Sequence, residues 1–553
     1  MVQARLFKYN LLDFAGDIFS DKCNSGGYFT RLYCYEHSHI GGLKMNSDFI
    51  SELSLNALIR IKENSWNGKN YVELEKLLTD DINVINYRLD ALTDLIENDV
   101  LFEAVKDILP ELMTLMETKG IHSGEADEID SLYAVRDLQI YVNLIDYLNE
   151  KINSTNIKSK LFTDLKNGIN EITMDESFAR LKEAIPENTR LVSDVQSVTL
   201  GINLDSGLHP TEAGIVSINN QKFVSGSIID KVLRLDSGVN PYQCSSPLSS
   251  PRNLLMNSEE RKIFESVLNT ALYKLVKASI RSWKPAVRAY TNSKTNFILG
   301  FYSDLRFLAA GAEFFRKLKA MRYPICRPKV CDKTEKQCIL KGMYFPQLVL
   351  DGIHMTENDF ICDNKGMLYI MSGANSGGKT IYGKAIAVCQ VLFQLGLYVP
   401  AEYAELSPVS EILLHFSASG KNITQSRFTE ECEKMSKLMS LADEYSLIIC
   451  DEPFSGTSSY EASAISEEVL KAMSAKGCRG VYITHIHELA ELPEKINNSD
   501  ICKSPLDNLT VEINQSNGKR LYTVLRKKTT GSSYAKDIAE KYGLSFKKLM
   551  THT

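Results

Sequence analysis

The stretch Gly373-Ala374-Asn375-Ser376-Gly377-Gly378-Lys379-Thr380 constrains the fold more than any other, because a glycine-rich loop closing on Gly-Lys-Thr belongs between a buried strand and a helix. Both flanks fit that setting. Met367-Leu-Tyr-Ile-Met371 is a short apolar run that predicts a buried strand, and Ile381, Ala385, Val388, Leu392 and Leu395 recur at helical spacing and predict a helix from Ile381 to Leu395. Successive backbone N–H groups and the positive end of the helix then converge on one anion. Lys379 would reach the β- and γ-phosphates of a nucleotide and Thr380 would offer its hydroxyl to Mg²⁺, with Gly373 to Thr380 and the first helical residue, Ile381, as the cradle.

Two later stretches repeat the pattern of a buried strand delivering polar groups at its end. Ser446-Leu-Ile-Ile-Cys-Asp451-Glu452 lies about seventy residues beyond the loop, where Asp451 would hold Mg²⁺ and Glu452 would orient or deprotonate the attacking water. Val481-Tyr-Ile-Thr484-His485 follows, and His485 could contact the γ-phosphate or that water. Lys379, Glu452 and His485 are thus the expected catalytic groups, and Thr380 and Asp451 the expected metal ligands.

The remainder of the 553-residue chain has room for about three or four domains. A composition of 44% hydrophobic and 24% charged residues is that of a soluble globular protein, with no apolar run of membrane-spanning length. No secretion signal is recognisable, so a cytoplasmic location is expected. The 12 cysteines include no C-x-x-C pair, which suits reduced thiols. Cys326, Cys331 and Cys338 cluster loosely, as do Cys23 and Cys34 near His37 and His39, but neither spacing matches a structural zinc site. The net charge of −6 conceals an asymmetry: residues 256–345 carry 18 Lys and Arg against 7 Asp and Glu. Such a stretch could follow a polyanion through phosphate contacts, or it could be a solvated helical face.

Residues 1–45 fit no recognisable unit. From Ser47 the apolar spacing turns helical, notably over 82–109 and 132–152, and returns over 258–279 and 296–321. Short β-like runs at 198–202, 214–218 and 222–224 interrupt it, so a small β insertion near 191–240 within a helical region of residues 46–340 is expected. A wound α/β domain would occupy 341–530.

At this level the residues resemble a known family. From about Asn358 to Ser545 the chain resembles the ATPase domain of MutS, the DNA mismatch-repair family within the ABC-type ATPases. The family's phosphate loop, Gly-Pro-Asn-Met-Gly-Gly-Lys-Ser, is matched with Ala374, Ser376 and Thr380 as substitutions. Tyr398-Val-Pro-Ala-Glu402, Ser426-Arg-Phe-Thr-Glu-Glu431, Asp451-Glu452, Gly456-Thr-Ser-Ser459, Thr484-His485-Ile-His-Glu-Leu489 and Gly531-Ser-Ser-Tyr534 follow in the family's order. The resemblance implies that Ser426 reaches the γ-phosphate of ATP held by a second subunit, and that Phe360 lies where the family places an aromatic against adenine. It further implies that the helical region is a core and lever bundle with a clamp-like β insertion, and that 531–553 is a helical dimerisation segment.

The family's pattern is not followed throughout. Its mismatch-reading Phe-x-Glu is found only as Phe428-Thr-Glu430, inside the signature stretch, so a short form without the N-terminal mismatch-recognition and connector domains is expected. Pro453-Phe454-Ser455 replaces Ile-Gly-Arg after the catalytic acids, Glu461-Ala462 replaces Asp-Gly, and no Smr-type nuclease tail follows. The resulting expectation is a homodimeric, Mg²⁺-dependent ATPase that clamps branched or distorted DNA, alongside other repair or recombination proteins. An RNA- or ribosome-binding ATPase and an ABC-type ATPase acting on proteins alone are the alternatives.

Overall fold

The computed structural model describes residues 52–55, 74–121, 130–183, 197–207, 210–219, 221, 224–225, 243–244, 295–373, 378–416, 427–513 and 520–528. The expectations for 1–45, 258–279 and 531–553 lie outside them. The chain divides into two compact units, one of residues 90–312 and one joining residues up to 89 with 313 onward. The phosphate loop lies in the second of these, in its part from Glu313 onward.

In the first unit, helices α2 (Asp99–Ile121), α3 (Asp130–Asn153) and α4 (Lys160–Thr173) pack in succession after α1 (Ile82–Glu97), which enters from the other unit. The continuous helix expected over 82–109 is interrupted at Asn98, whose side-chain oxygen accepts the Leu101 N–H at 3.1 Å and caps a new helix instead. In α4, Leu161, Phe162, Leu165, Ile169 and Ile172 form one buried stripe behind the N-cap Ser159. Asp94 fixes that cap by accepting the Ser159 N–H at 2.8 Å. The β insertion is an antiparallel hairpin of β1 (Ser197–Leu204) and β2 (Pro210–Asn219), with Ser197 opposite Asn219.

In the second unit, α5 (Tyr302–Ala320) runs across the boundary and leads to two sheets. The smaller contains β3 (Lys329–Val330), β4 (Cys338–Met343), β5 (Asn358–Ile361) and, between β3 and β4, β7 (Tyr403–Leu406). The larger contains β6 (Leu368–Ser372), β8 (Ile412–Phe416), β9 (Leu447–Asp451), β10 (Arg479–Ile483), β11 (Leu506–Ile513) and β12 (Arg520–Arg526). Its order is β8-β9-β10-β6-β11-β12, parallel except for the final antiparallel pair. Every residue of β6, β9 and β10 is buried, which is why their sequences are mainly apolar rather than alternating, with polar residues only at their ends.

Three helices pack with this sheet: α6 (Lys379–Gln394), α7 (Arg427–Leu441) and α8 (Ser459–Lys476). α6 is apolar nearly all round and almost wholly buried. Gly480 lets β10 lie close to β9, since a β-carbon there would stand 1.8 Å from the Ile448 carbonyl oxygen. The buried guanidinium of Arg479 donates to the carbonyls of Gln337 at 2.9 Å and of Ser407 and Pro408 at 3.4 Å, bolting the larger sheet to the smaller.

Among the described residues no helix is long and apolar enough to cross a membrane. Within the basic stretch several lysines are matched to acids: Lys317 to Glu313, Lys329 to Glu405, Lys333 to Asp80 and Lys336 to Glu444. Those cations face carboxylates at the surface, which reduces the free positive charge the sequence alone suggests.

Candidate nucleotide-binding site

The site forms at the carboxyl edge of the larger sheet, where β6, β9 and β10 end side by side. β10 lies between β6 and β9, so Gly373 and Asp451 are two strands, about 10 Å, apart. The first residues of α6 fill that gap. Gly378 caps the helix with φ +86°, a conformation that suits glycine and lets the chain turn from the loop into the helix. Lys379 follows, buried, with Nζ donating to the Gly373 carbonyl at 2.7 Å and lying 3.9 Å from Glu452 Oε1. One cation thus links both ends of the gap.

Burial lowers the Lys379 pKa, while Glu452 and Asp451 act in the opposite direction. Asp451, also buried, has its pKa raised, first by burial and also by Glu452, against a hydrogen bond from the Thr380 hydroxyl and the nearby Lys379. Protons would therefore compete with a divalent cation for this carboxylate sooner than for an exposed aspartate. Both groups carry a desolvation cost that a bound phosphate and a divalent cation would offset. Glu452, at the turn, has φ +46°, a left-handed conformation costly for a side chain of this size, and its N–H is held by the Ile483 carbonyl at 2.9 Å. That bond and the parallel neighbour β10 over-determine the turn.

Thr484 donates its N–H to the Met371 carbonyl at 3.0 Å and accepts the Ile486 N–H at its hydroxyl, fixing the exit of β10. His485 follows on the exposed side of that turn. The structure so brings Gly373, Gly378, Lys379, Thr380, Ile381, Asp451, Glu452 and His485 to one sheet edge. Ala374, Asn375, Ser376, Gly377 and Ser426 lie outside the described residues.

Phe360 is buried, 2% exposed, and packs edge-on against Tyr369 and Tyr382. Tyr522 on β12, a residue 47% exposed, lies beside Gly378, where a β-carbon would stand 3.3 Å from its ring. Tyr522 has φ +57°, and Asn358 donates to its carbonyl at 3.0 Å. Nothing local in Leu521-Tyr522-Thr523 marks it, because its place depends on the pairing of β12 with β11.

The donor set fits Mg²⁺ and a phosphate chain. Hydroxyl and carboxylate oxygens are the hard ligands Mg²⁺ takes, and a buried ammonium beside a helix start suits phosphate. Among the described residues no group of three His, Cys, Asp or Glu could hold a different metal, and Cys326, Cys331 and Cys338 are free thiols.

A family model for "MutS domain V" matches residues 369–550, and one for "MutS2 N-terminal domain" matches residues 80–321. The chain is 23% identical over 486 residues to the DNA mismatch repair protein MutS of Staphylococcus saprophyticus, an alignment covering 84% of this chain and 52% of that protein. The Lactobacillus helveticus protein of the same name is 22% identical over 496 residues, covering 84% and 55%. The DNA mismatch repair protein MSH2 of Saccharomyces cerevisiae is 33% identical over 180 residues, 32% of this chain and 19% of that one. The chain thus spans about half the length of the longer curated matches.

Proposed function

Because the chain belongs to the MutS family, we propose that it is a Mg²⁺-dependent ATPase that acts as a homodimer and clamps branched or distorted DNA, ATP binding and hydrolysis switching the clamp between open and closed states. The observation that carries the enzymatic part is the position of Lys379 Nζ, 2.7 Å from the loop carbonyl of Gly373 and 3.9 Å from Glu452. A group so placed contacts the phosphate chain at one end and the water-activating carboxylate at the other.

Each residue has a defined task on this reading. Backbone N–H groups of Gly377 and Gly378 and the ammonium of Lys379 bind and orient the β- and γ-phosphates. Thr380 and Asp451 hold Mg²⁺, which when bound neutralises charge developing on the transferred phosphoryl group. Glu452 takes the proton of the attacking water, and His485 contacts the same water or the γ-phosphate. Tyr522 borders the cradle and shields its Gly378 side. Ser426 of the partner subunit would close the site over the nucleotide.

The DNA part is tested by binding to branched DNA, linear duplex and structured RNA over a salt series. Branched DNA is expected to bind at least about tenfold more tightly than the RNA at about 0.15 M salt, with log affinity falling linearly in log salt. An equally steep salt dependence without preference for DNA would instead identify an RNA- or ribosome-directed ATPase. No binding to any of the three would point to an ATPase that acts on proteins.

A further inference from the structure

We propose that Glu431 is a positioning residue that fixes the catalytic turn to helix α7, so that α7 sets the geometry of the chain's own Glu452. The inference rests on the reading of Glu452 given under Proposed function. Glu431 is a carboxylate in the first turns of α7, only 5% exposed, with no role in the cradle. Its Oε1 accepts the Ser455 hydroxyl and its Oε2 accepts the Gly456 N–H, each at 3.3 Å. Both partners lie just past Glu452, so one carboxylate grips the exit of the turn from two directions.

The apolar contacts repeat the connection. Phe454 is 1% exposed, has φ +65°, and meets Phe428 of α7 edge to face with ring centroids 6.4 Å apart. Gly456 lies so close to α7 that a β-carbon there would stand 3.1 Å from the Phe428 nitrogen. The turn thus carries two left-handed side-chain-bearing residues, Glu452 and Phe454, on either side of Pro453. Such a conformation persists only where its surroundings hold it, and α7 supplies the holding groups on the side away from β10. Glu452 itself is anchored to β10 through its N–H. A displacement of α7 would shift Ser455 and Gly456 with it and turn the Glu452 carboxylate relative to Lys379. The first residue of α7, Arg427, follows Ser426 in the sequence, so α7 is the described element nearest in sequence to the group expected to contact the partner's nucleotide.

The test compares wild type, Glu431→Leu, Glu431→Gln and Ser455→Ala in the full chain. It measures kcat and KM for Mg-ATP hydrolysis, affinity for a fluorescent ATP analogue, and the melting temperature. Leucine keeps the volume and removes both hydrogen bonds; kcat is expected to fall about tenfold, with KM and analogue affinity within about twofold. Glutamine can retain both contacts, its amide oxygen accepting from Gly456 and its amide nitrogen donating to the Ser455 hydroxyl, and should hold kcat within about threefold of wild type. Ser455→Ala removes one bond without a cavity of consequence and should lower kcat about threefold at unchanged KM, which keeps the test decisive even where the leucine variant fails to fold. Wild-type kcat in both Glu431→Leu and Ser455→Ala overturns the proposal. So does a parallel loss of kcat, affinity and melting temperature in glutamine and leucine alike, the mark of a purely structural carboxylate. If Glu452→Gln turns over at the wild-type rate, the reading of the active site fails instead. If that variant is inactive and Glu431→Leu is not, only the present inference fails.

Discussion

Glu452→Gln is expected to lower ATP turnover by about 10²- to 10³-fold while leaving nucleotide affinity within about threefold. The substitution keeps the length and shape of the side chain and its place at the end of β9. It removes the one property the reaction needs, an anionic oxygen able to take a proton from water. On the proposed reading binding rests on other groups, the N–H donors of the loop, Lys379, Thr380 and Asp451, and of these Lys379 loses only the charge of Glu452 Oε1, 3.9 Å away. The left-handed backbone at position 452, φ +46°, is no worse for glutamine than for glutamate, so the fold should be unaffected. Single-turnover hydrolysis beside equilibrium binding separates the two effects. Turnover at the wild-type rate would mean that water is activated elsewhere, with His485 at the same sheet edge as the next candidate.

Lys379→Met should reduce affinity for Mg-ATP by about 10²-fold, the scale of a lost charge-assisted hydrogen bond to phosphate in a partly dry site. Stability of the unliganded chain should scarcely respond. Burial lowers the folded-state pKa of Lys379, so the fold disfavours its cation, and losing that cation does not by itself destabilise the chain. Asp451 behaves correspondingly: its pKa is raised, so the fold disfavours the anion, and the unliganded chain gains stability as pH falls toward the folded value. The site is thus built for charges that arrive with the ligand. Melting curves with and without Mg-ATP should show a ligand-dependent upward shift in wild type and almost none in Lys379→Met, at similar unliganded midpoints. A large drop in the unliganded midpoint would show that Lys379 acts mainly as a structural partner of Glu452.

The legible part of the sequence is the part whose structure is set locally or by burial on both faces. The strand expected at 367–371 forms at Leu368–Ser372, and the helix expected at 381–395 forms at Lys379–Gln394. β9 and β10 fall within two residues of their apolar runs. A strand covered on both sides is mainly apolar, a polar side chain such as Arg479 entering only where buried carbonyls receive it, and a loop that cradles phosphate needs its glycines in order. What escaped the sequence is set by neighbours distant along the chain. Phe360 is buried because Tyr369 and Tyr382 close over it, and Tyr522 reaches Gly378 because β12 pairs beside β11. Lys333 is tied to Asp80, 253 residues away in the sequence, so charge counting over residues 256–345 overstated what is free. The break at Asn98 was readable in principle, since a side chain able to cap a helix interrupts the apolar period there.

The central claim is that the nucleotide site is shared between two chains, with Glu452 from one and Ser426 from the other. It is tested most directly by preparing Ser426→Ala and Glu452→Gln separately and then mixing and re-equilibrating them in equal amounts. Each variant alone should be nearly inactive, because every site in either homodimer lacks one of the two groups. In the mixture half of the dimers pair one variant with the other, and each of these has one intact site of two, so activity should recover to about a quarter of wild type. Activity that stays at the sum of the separate preparations, in a mixture whose chains have exchanged, would contradict a shared site.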